Sequence, residues 1–237
     1  FKIGTVMLKL DGRGEYENFS EVIKKGRNYK DFENEDDPKF RNLFTYAMHE
    51  RSELSAYKVA DAVNRKKVGK LLDLGCGPGS YTAAILKEDK TATATLMDRA
   101  AAIKVARKLC KTQSVYNRLH FVSGDFFDDE LGGGYDTVLM SNIIHIYNAT
   151  ENKTIFEKIN KALKKGGRFV LYDLFLNNSK TGPYDAALFA ITMLLYTKTG
   201  KSYAFGEVES LLRNAGFARI KKTKIGDGSS IVEAIKI

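Results

Sequence analysis

The stretch LLDLGCGPGS, Leu71 to Ser80, reads as a buried strand, a glycine turn and the start of a helix. Leu71, Leu72 and Leu74 form a short apolar run, as a strand covered on both faces requires. Gly75, Gly77 and Gly79 then recur at every second position. Without a Cβ, Gly75 and Gly77 let the backbone turn sharply and come close to a bound molecule. YTAAILK, from Tyr81, continues with helical periodicity. A helix starting there presents unpaired N–H groups and the positive end of its dipole to the turn. The turn therefore suits a polar or anionic ligand.

Outward from this turn, strands and helices alternate. Strands are expected at Lys70–Leu74, Ala92–Met97, Leu119–Ser123, Tyr135–Ser141 and Arg168–Tyr172. Helices are expected at Ser80–Lys87, Ala100–Lys111 and Glu151–Leu163, with a helical insertion at Tyr184–Tyr196 and a further helix at Gly206–Ala215. Such a succession makes an α/β fold, a parallel sheet with helices on both faces. Ala218–Ile225 and Ser230–Ile237 flank the short Gly226-Asp227-Gly228 turn and should close the sheet as an antiparallel hairpin.

The N-terminal part differs. Thr5–Leu10 reads as a strand and Glu15–Lys25 as a helix, and Asn28–Pro38 is polar and acidic, ending in the Asp36-Asp37-Pro38 break. The chain thus divides into a segment, residues 1–38, and a larger unit, residues 39–237. The larger unit opens with a helical pattern to about residue 64, marked by Phe40, Leu43, Phe44, Ala47 and Met48. Phe1 is not a Met, so the chain reads as processed, trimmed or taken from a larger protein.

Composition narrows the function. A chain of 237 residues, 43% hydrophobic and 28% charged, can build the core of one large soluble domain. Cys76 and Cys110 are the only cysteines, so no disulfide framework and no C-x-x-C spacing exists. That fits a reducing, cytoplasmic setting. The longest apolar run, Ala186–Tyr196, is too short to cross a bilayer as a helix. The net charge of +9 raises nucleic acid as a partner. The lysines, however, fall in scattered pairs, Lys24–Lys25, Lys66–Lys67, Lys164–Lys165 and Lys221–Lys222, with no dense basic arm. They read as solvated faces and helix ends, Lys164 and Lys165 at a helix C-terminus.

In open α/β sheets a ligand sits beyond the carboxyl ends of the strands, where the strand order switches. Asp73, Asp98 and Asp125 fall at three such ends. A dinucleotide fingerprint needs G-x-G-x-x-G. Here the third glycine comes one residue early, at Gly79, and Ser80 holds its slot. Asp73 would repel a pyrophosphate but suits a cationic amino-acid ligand. Asp98, about twenty residues past the glycines, can accept from ribose hydroxyls. Each acid has a plainer role open to it, Asp98 as a helix cap and Asp125 as a turn residue.

The Asp73-x-Gly75-x-Gly77-x-Gly79 spacing resembles the first motif of S-adenosylmethionine-dependent methyltransferases of the Rossmann-like class. The resemblance implies their fold, a mostly parallel seven-stranded sheet with a C-terminal antiparallel hairpin. It places Asp73 and the three glycines at the methionine end of the cofactor. Asp125 falls at the adenine amino group and Phe126 on the adenine face. Met97 and Arg99 flank Asp98 near the base, and Asn142 contacts the cofactor or caps a strand end.

Past the fourth strand, SNIIHIYN carries His145, one of three histidines with His49 and His120. An imidazole, with an ordinary pKa near ~6.5, can take a proton from a substrate hydroxyl. L-x-S-N-x-x-H, followed by a helix and then KKGGRFVLYD, resembles the bacterial and plant small-molecule O-methyltransferases related to caffeate O-methyltransferase. These place the catalytic His at His145. Phe44-x-x-x-Met48-x-x-x-Ser52 resembles their helix that approaches the cofactor, bringing Met48 to it. ALFAITMLLYTKTGKSY and NAGF resemble their substrate-pocket helix and closing strands, with Phe189, Met193 and Tyr196 toward the acceptor. The family also has an N-terminal winged-helix dimerisation domain, of which residues 1–38 would be a remnant, and a homodimer follows from that likeness.

Two positions depart from the pattern. Ile146 and Tyr147 follow the histidine where the family often has Asp and an aromatic residue. Of two glutamates that flank the base in plant members, Asp173 matches the first approximately, and no acid stands near the second, at Lys201 and Ser202. The expected function is methyl transfer from S-adenosylmethionine to a hydroxyl of a small aromatic or polyketide-like molecule, with no metal. The alternatives are an RNA or DNA methyltransferase, an N- or C-methyltransferase, and a cofactor-binding domain without activity. The N/D-P-P-Y motif associated with methylation of base amino groups is missing, since Ser141-Asn142-Ile143-Ile144 stands in its place.

Overall fold

Side-chain alternation along the central strands sets the layers. Leu71, Leu139 and Val170 pack into one apolar cluster, and their neighbours Leu72, Val138, Met140, Phe169 and Leu171 pack into a second on the other face. These strands are therefore buried on both sides, which explains their near-continuous apolar runs. The computed structural model describes residues 19–25, 37–226 and 228–237.

Seven strands, β1 (Lys70–Leu74), β2 (Thr93–Asp98), β3 (Leu119–Ser123), β4 (Tyr135–Ser141), β5 (Leu163–Leu174), β6 (Phe217–Lys224) and β7 (Ser229–Lys236), form one sheet among the described residues. Their order is β3-β2-β1-β4-β5-β7-β6. The first five run parallel, and β7 pairs antiparallel with both β5 and β6. The sheet is thus mostly parallel with a C-terminal antiparallel hairpin, as expected. The order reverses between β1 and β4, so the crevice lies beyond their carboxyl ends.

Helices α1 (Phe19–Lys25), α2 (Pro38–Ser52), α3 (Ala56–Asn64), α4 (Ser80–Glu88), α5 (Ala100–Cys110), α6 (Ala149–Ala162), α7 (Tyr184–Tyr196) and α8 (Phe205–Asn214) surround the sheet. Val59 and Val63 of α3, Ile85 and Leu86 of α4 and Ile103 of α5 fill the first cluster; Ile155, Phe156 and Ile159 of α6 and Val208 and Leu212 of α8 fill the second. Asp37 caps α2, its carboxylate accepting from the Lys39 and Phe40 amides, with Pro38 at the first helical position. Asn148 and Glu151 form a capping box at the start of α6. No helix among the described residues is long and apolar enough to cross a membrane.

Three expectations need correction. The helical pattern read as continuous to residue 64 breaks at Glu53–Ser55 into α2 and α3. Lys164 and Lys165 do not end a helix: α6 stops at Ala162, and both lysines lie in β5, where Lys164 pairs with Asp136 at 2.7 Å. The fifth strand is longer than its apolar part, running from Leu163 to Leu174. A strand needs only backbone partners, and polar residues at its exposed start leave no apolar signal. The strand read at Thr5–Leu10 lies outside the described residues. Of the helix read at Glu15–Lys25, Phe19–Lys25 is described and is helical.

Candidate active site

The glycine turn is tied to the end of β2. The Gly75 and Cys76 amides donate to the Met97 carbonyl oxygen at 2.9 and 3.2 Å, and the Gly77 amide donates to Asp98 Oδ2 at 2.7 Å. All three glycines have positive φ, at 69° for Gly75, 51° for Gly77 and 73° for Gly79. Two of them are also closely packed. A Cβ at Gly75 would come 2.6 Å from Ile143 Cδ1, and one at Gly79 would come 2.6 Å from Leu96 Cδ2. A Cβ at Gly77 would meet nothing within 4 Å, so Gly77 is the glycine that faces open space.

Asp73 lies beneath this turn, almost fully buried. The Thr82 hydroxyl, in the first turn of α4, donates to its Oδ2 at 2.6 Å. The other oxygen, Oδ1, is buried with no hydrogen-bond partner among the described residues. Burial pushes this carboxyl up to about 7, against the lowering by the Thr82 bond and with a further rise from the Asp98 charge. Burial also raises Asp98, opposed by its bonds from the Gly77 and Arg99 amides. Two acidic side chains, one with an unused oxygen, beside an open glycine suit a cation with polar hydrogen-bonding groups.

Asp98 is not a helix cap: the N-cap of α5 is Arg99, without a side-chain capping bond. Instead its two oxygens accept from Gly77 N and Arg99 N, each at 2.7 Å. Arg99 turns back to pair with Asp125 Oδ2 at 2.8 Å, while Asp125 Oδ1 accepts from the Phe127 amide. The turn role open to Asp125 is thus realised, and the pairing with Arg99 is an addition to it. Phe126 packs against Phe127 and edge-on to Tyr147, with ring centroids 5.2 and 5.9 Å away. From the N-terminal side, α2 reaches the turn through His49, whose Nδ1 lies 2.8 Å from Ser80 Oγ. Met48, its neighbour, is half-buried.

Beyond β4 the chain enters a left-handed residue, Asn142, with φ 56°. Its amide N–H donates to the Tyr172 carbonyl oxygen at 2.8 Å, and its side chain approaches Tyr81 Oη at 3.4 Å. The short 3-10 turn Ile144–Ile146 follows and carries His145. His145 Nδ1 lies 2.8 and 2.9 Å from the two oxygens of Asp173, a residue with no exposed surface. The His145 side chain is 10% exposed, and its Nε2 has no hydrogen-bond partner among the described residues. Phe189 of α7 stands edge-on to the imidazole, centroids 4.7 Å apart. An imidazole held through Nδ1 by a buried carboxylate has the other nitrogen available as a proton acceptor.

Sequence reasoning missed Thr82, Tyr81 and Asn152. Thr82 had a usable signal, a polar residue on the inward face of the helix that follows a buried acid. Among the described residues no group of three or more His, Cys, Asp or Glu side chains gathers as metal ligands do.

The family model described as the O-methyltransferase domain matches residues 11–218. The chain is 28% identical over 199 residues to the 3-hydroxy-5-methyl-1-naphthoate 3-O-methyltransferase of Streptomyces sahachiroi, covering 83% of this chain and 56% of that protein. It spans about half the length of the curated relatives it matches. A structure from Nostoc punctiforme, named as a candidate O-methyltransferase, superposes with a TM-score of 0.92 at 25% identity, covering 99% of this chain and 72% of that one. Human N-acetylserotonin methyltransferase, in complex with S-adenosylmethionine, superposes with a TM-score of 0.86 at 23% identity, covering 98% of this chain and 70% of that one. That last likeness is one of fold.

Proposed function

The chain belongs to the O-methyltransferase domain family, and from that membership we propose that it transfers a methyl group from S-adenosylmethionine to a hydroxyl of a small aromatic or polyketide-like molecule, with His145 as general base. The observation that carries this reading is the His145–Asp173 contact of 2.8 Å at the carboxyl edge of the sheet. It lies next to the glycine turn, since Ile143, two residues before His145, is the side chain that crowds Gly75.

Bound S-adenosylmethionine supplies an electrophilic sulfonium methyl. Asp73, with its unused Oδ1, holds the cationic methionine end, and the open face of Gly77 leaves room for it. Asp98 accepts from the ribose hydroxyls, and Arg99, Asp125 and Phe126 bound the adenine. Met48 closes the pocket from α2, and Asn142 orders its edge. Asp173 holds the Nδ1–H tautomer of His145, so that Nε2 takes the proton of the acceptor hydroxyl. Removing that proton makes the oxygen a stronger nucleophile, and the aligned pocket turns a bimolecular displacement into a local one. Phe189, edge-on to the imidazole, offers an aromatic wall for an aromatic acceptor.

The same reading divides the chain at the Asp37–Pro38 cap, into residues 1–38 and a catalytic unit at residues 39–237, and takes the protein as a cytoplasmic homodimer. Calorimetric titration with S-adenosylmethionine and S-adenosylhomocysteine tests the cofactor, with Asp98→Ala as control. Isotope-labelled methyl transfer to a panel of hydroxynaphthoates and simple phenols tests the reaction. Product formed by the parent and lost in His145→Ala supports the proposal. A folded chain that binds the cofactor and methylates none of them would favour a binding domain without activity.

A further inference from the structure

The turn that carries His145 is held by two buried residues from other elements. Asn152, in the first half of α6, has no exposed surface. Its Nδ2 lies 2.9 Å from the Ile144 carbonyl oxygen, 3.0 Å from that of Tyr147 and 3.1 Å from that of Asn148. It also lies 3.1 Å from Tyr203 Oη, and Tyr203 Oη itself donates to the Tyr147 oxygen at 2.8 Å. Ile144 begins the 3-10 turn and Tyr147 follows its last residue, so His145 is bracketed by the carbonyls these two residues hold.

The chemistry explains why polar residues stand here. Peptide carbonyls buried away from water need donors, and a one-turn 3-10 helix leaves several unmatched. The NH2 end of an amide brings two N–H donors to such carbonyls without burying a charge. Asn152 Oδ1, at the opposite end, is buried without a partner among the described residues. An apolar side chain of similar size would avoid that unpaired oxygen. What Asn152 contributes in return is its two N–H bonds to the His145 turn. Tyr203 is a dependable donor, since burial pushes its hydroxyl up to about 12. The segment that leads from α7 to Tyr203 also lies directly on the turn: a Cβ at Gly200 would overlap the His145 carbonyl oxygen and come 2.8 Å from the Ile146 carbonyl carbon.

We propose that Asn152 and Tyr203 are positioning residues for methyl transfer, a clamp that fixes the His145 backbone so that Nδ1 stays on Asp173 and Nε2 stays directed at the acceptor. Neither touches the reacting atoms. The proposal rests on the reading of His145 as the base. It also gives α7 a second role: the helix that supplies Phe189 leads into the segment that carries half of the clamp.

The test is nitrogen-15 NMR of the histidine rings in the full 237-residue chain, which has three histidines. His145→Gln assigns the His145 signals. Tyr203→Phe removes only the phenolic oxygen, and Asn152→Leu removes the amide. The clamp predicts that Tyr203→Phe stays folded and binds S-adenosylmethionine within about twofold of the parent. Its His145 ring signals should shift or split into a tautomer mixture, while those of His49 and His120 stay in place. Asn152→Leu should do the same more strongly, and Tyr203→Phe decides alone if that variant does not fold. A lowered melting temperature with parental His145 signals would overturn the proposal, because the pair would then support only the fold. A parental His145 protonated at Nε2 would instead sink the base reading, and the comparison of variants would still decide the clamp.

Discussion

Asp173 presents both carboxylate oxygens to a single atom, His145 Nδ1, at 2.8 and 2.9 Å. The Leu174 amide also donates to Asp173 Oδ1, at 2.7 Å. A carboxylate with no exposed surface needs such donors, because an unpaired buried charge is strongly unfavourable. In the proposed mechanism it holds the imidazole in one tautomer and stabilises the positive charge that proton transfer creates. Asp173→Asn keeps the shape and removes the charge. We expect methyl transfer to fall roughly 10²–10⁴-fold, the range for a disabled acid–base group. Calorimetric affinity for S-adenosylmethionine should stay within about threefold, a change of under ~1 kcal/mol. A variant with near-parental turnover would remove Asp173 from the mechanism.

Asp73 makes stability depend on pH. Its carboxyl is raised from 3.8 to about 7 in the folded chain. Between these values the folded state holds a proton that the unfolded state has released. Stability is therefore full below about pH 4, declines as pH rises toward 7, and levels off above it. Asp73→Asn removes this slope. Without cofactor the variant should match the parent near pH 4 and exceed it at pH 8, by on the order of 2–4 kcal/mol. Melting curves across that range decide it, and parallel curves for the two proteins would refute the assignment. The same variant should bind the cationic cofactor more weakly at pH 8.

Asp98 links the glycine turn to β2 through the Gly77 amide at 2.7 Å. Asp98→Ala loses that bond and the proposed ribose contacts. Hydrogen bonds to a charged group are worth about 1.5–3 kcal/mol, so cofactor affinity should weaken roughly 10–100-fold. Titration of the folded variant reads this directly, and unchanged affinity would place the ribose elsewhere.

Gly77 and Gly79 should respond differently to alanine. Both have positive φ, which costs an L residue about 1–2 kcal/mol. At Gly79 the added methyl also meets Leu96 Cδ2 at 2.6 Å, an overpacking that adds about 1–3 kcal/mol. At Gly77 it meets nothing within 4 Å and projects into the space assigned to the cofactor. Gly79→Ala should therefore lose more thermal stability, and Gly77→Ala more cofactor affinity relative to its loss of stability. The reverse ranking would mean that the open side of the turn is not the ligand side.

Much of the sheet was legible because its strands are buried on both faces. Lys70–Leu74 and Tyr135–Ser141 announce themselves as apolar runs bounded by glycine or polar residues, and the structure places both with those limits. The start of β5 was not legible. Lys164 to Gly167 carry no apolar signal, and only the pairing of Leu163 with Tyr135 makes the segment part of the strand. Among site residues, the acids at strand ends follow from topology alone. Asn152 does not, because a polar residue on a helix looks the same in sequence whether it faces solvent or a buried acceptor.

By itself the sequence determined the alternation of strands and helices, the glycine turn after β1 and the acids at the ends of β1 and β2, since these depend on local periodicity and on chain direction. The family likeness pointed to Asp173 as a flank of His145, 28 residues earlier in the chain, but only the tertiary structure decided the direct contact of its carboxyl group with Nδ1. Parallel pairing of β4 with β5 sets Ser141 opposite Tyr172, and from that register the next residues of both strands emerge at the same edge. It also decided that Asp125 pairs with Arg99 and that Asn152 and Tyr203 meet beneath the His145 turn. Such contacts depend on which carbonyls and charges are left without water once the layers close, and burial of that kind is a property of the packed molecule, not of any one segment.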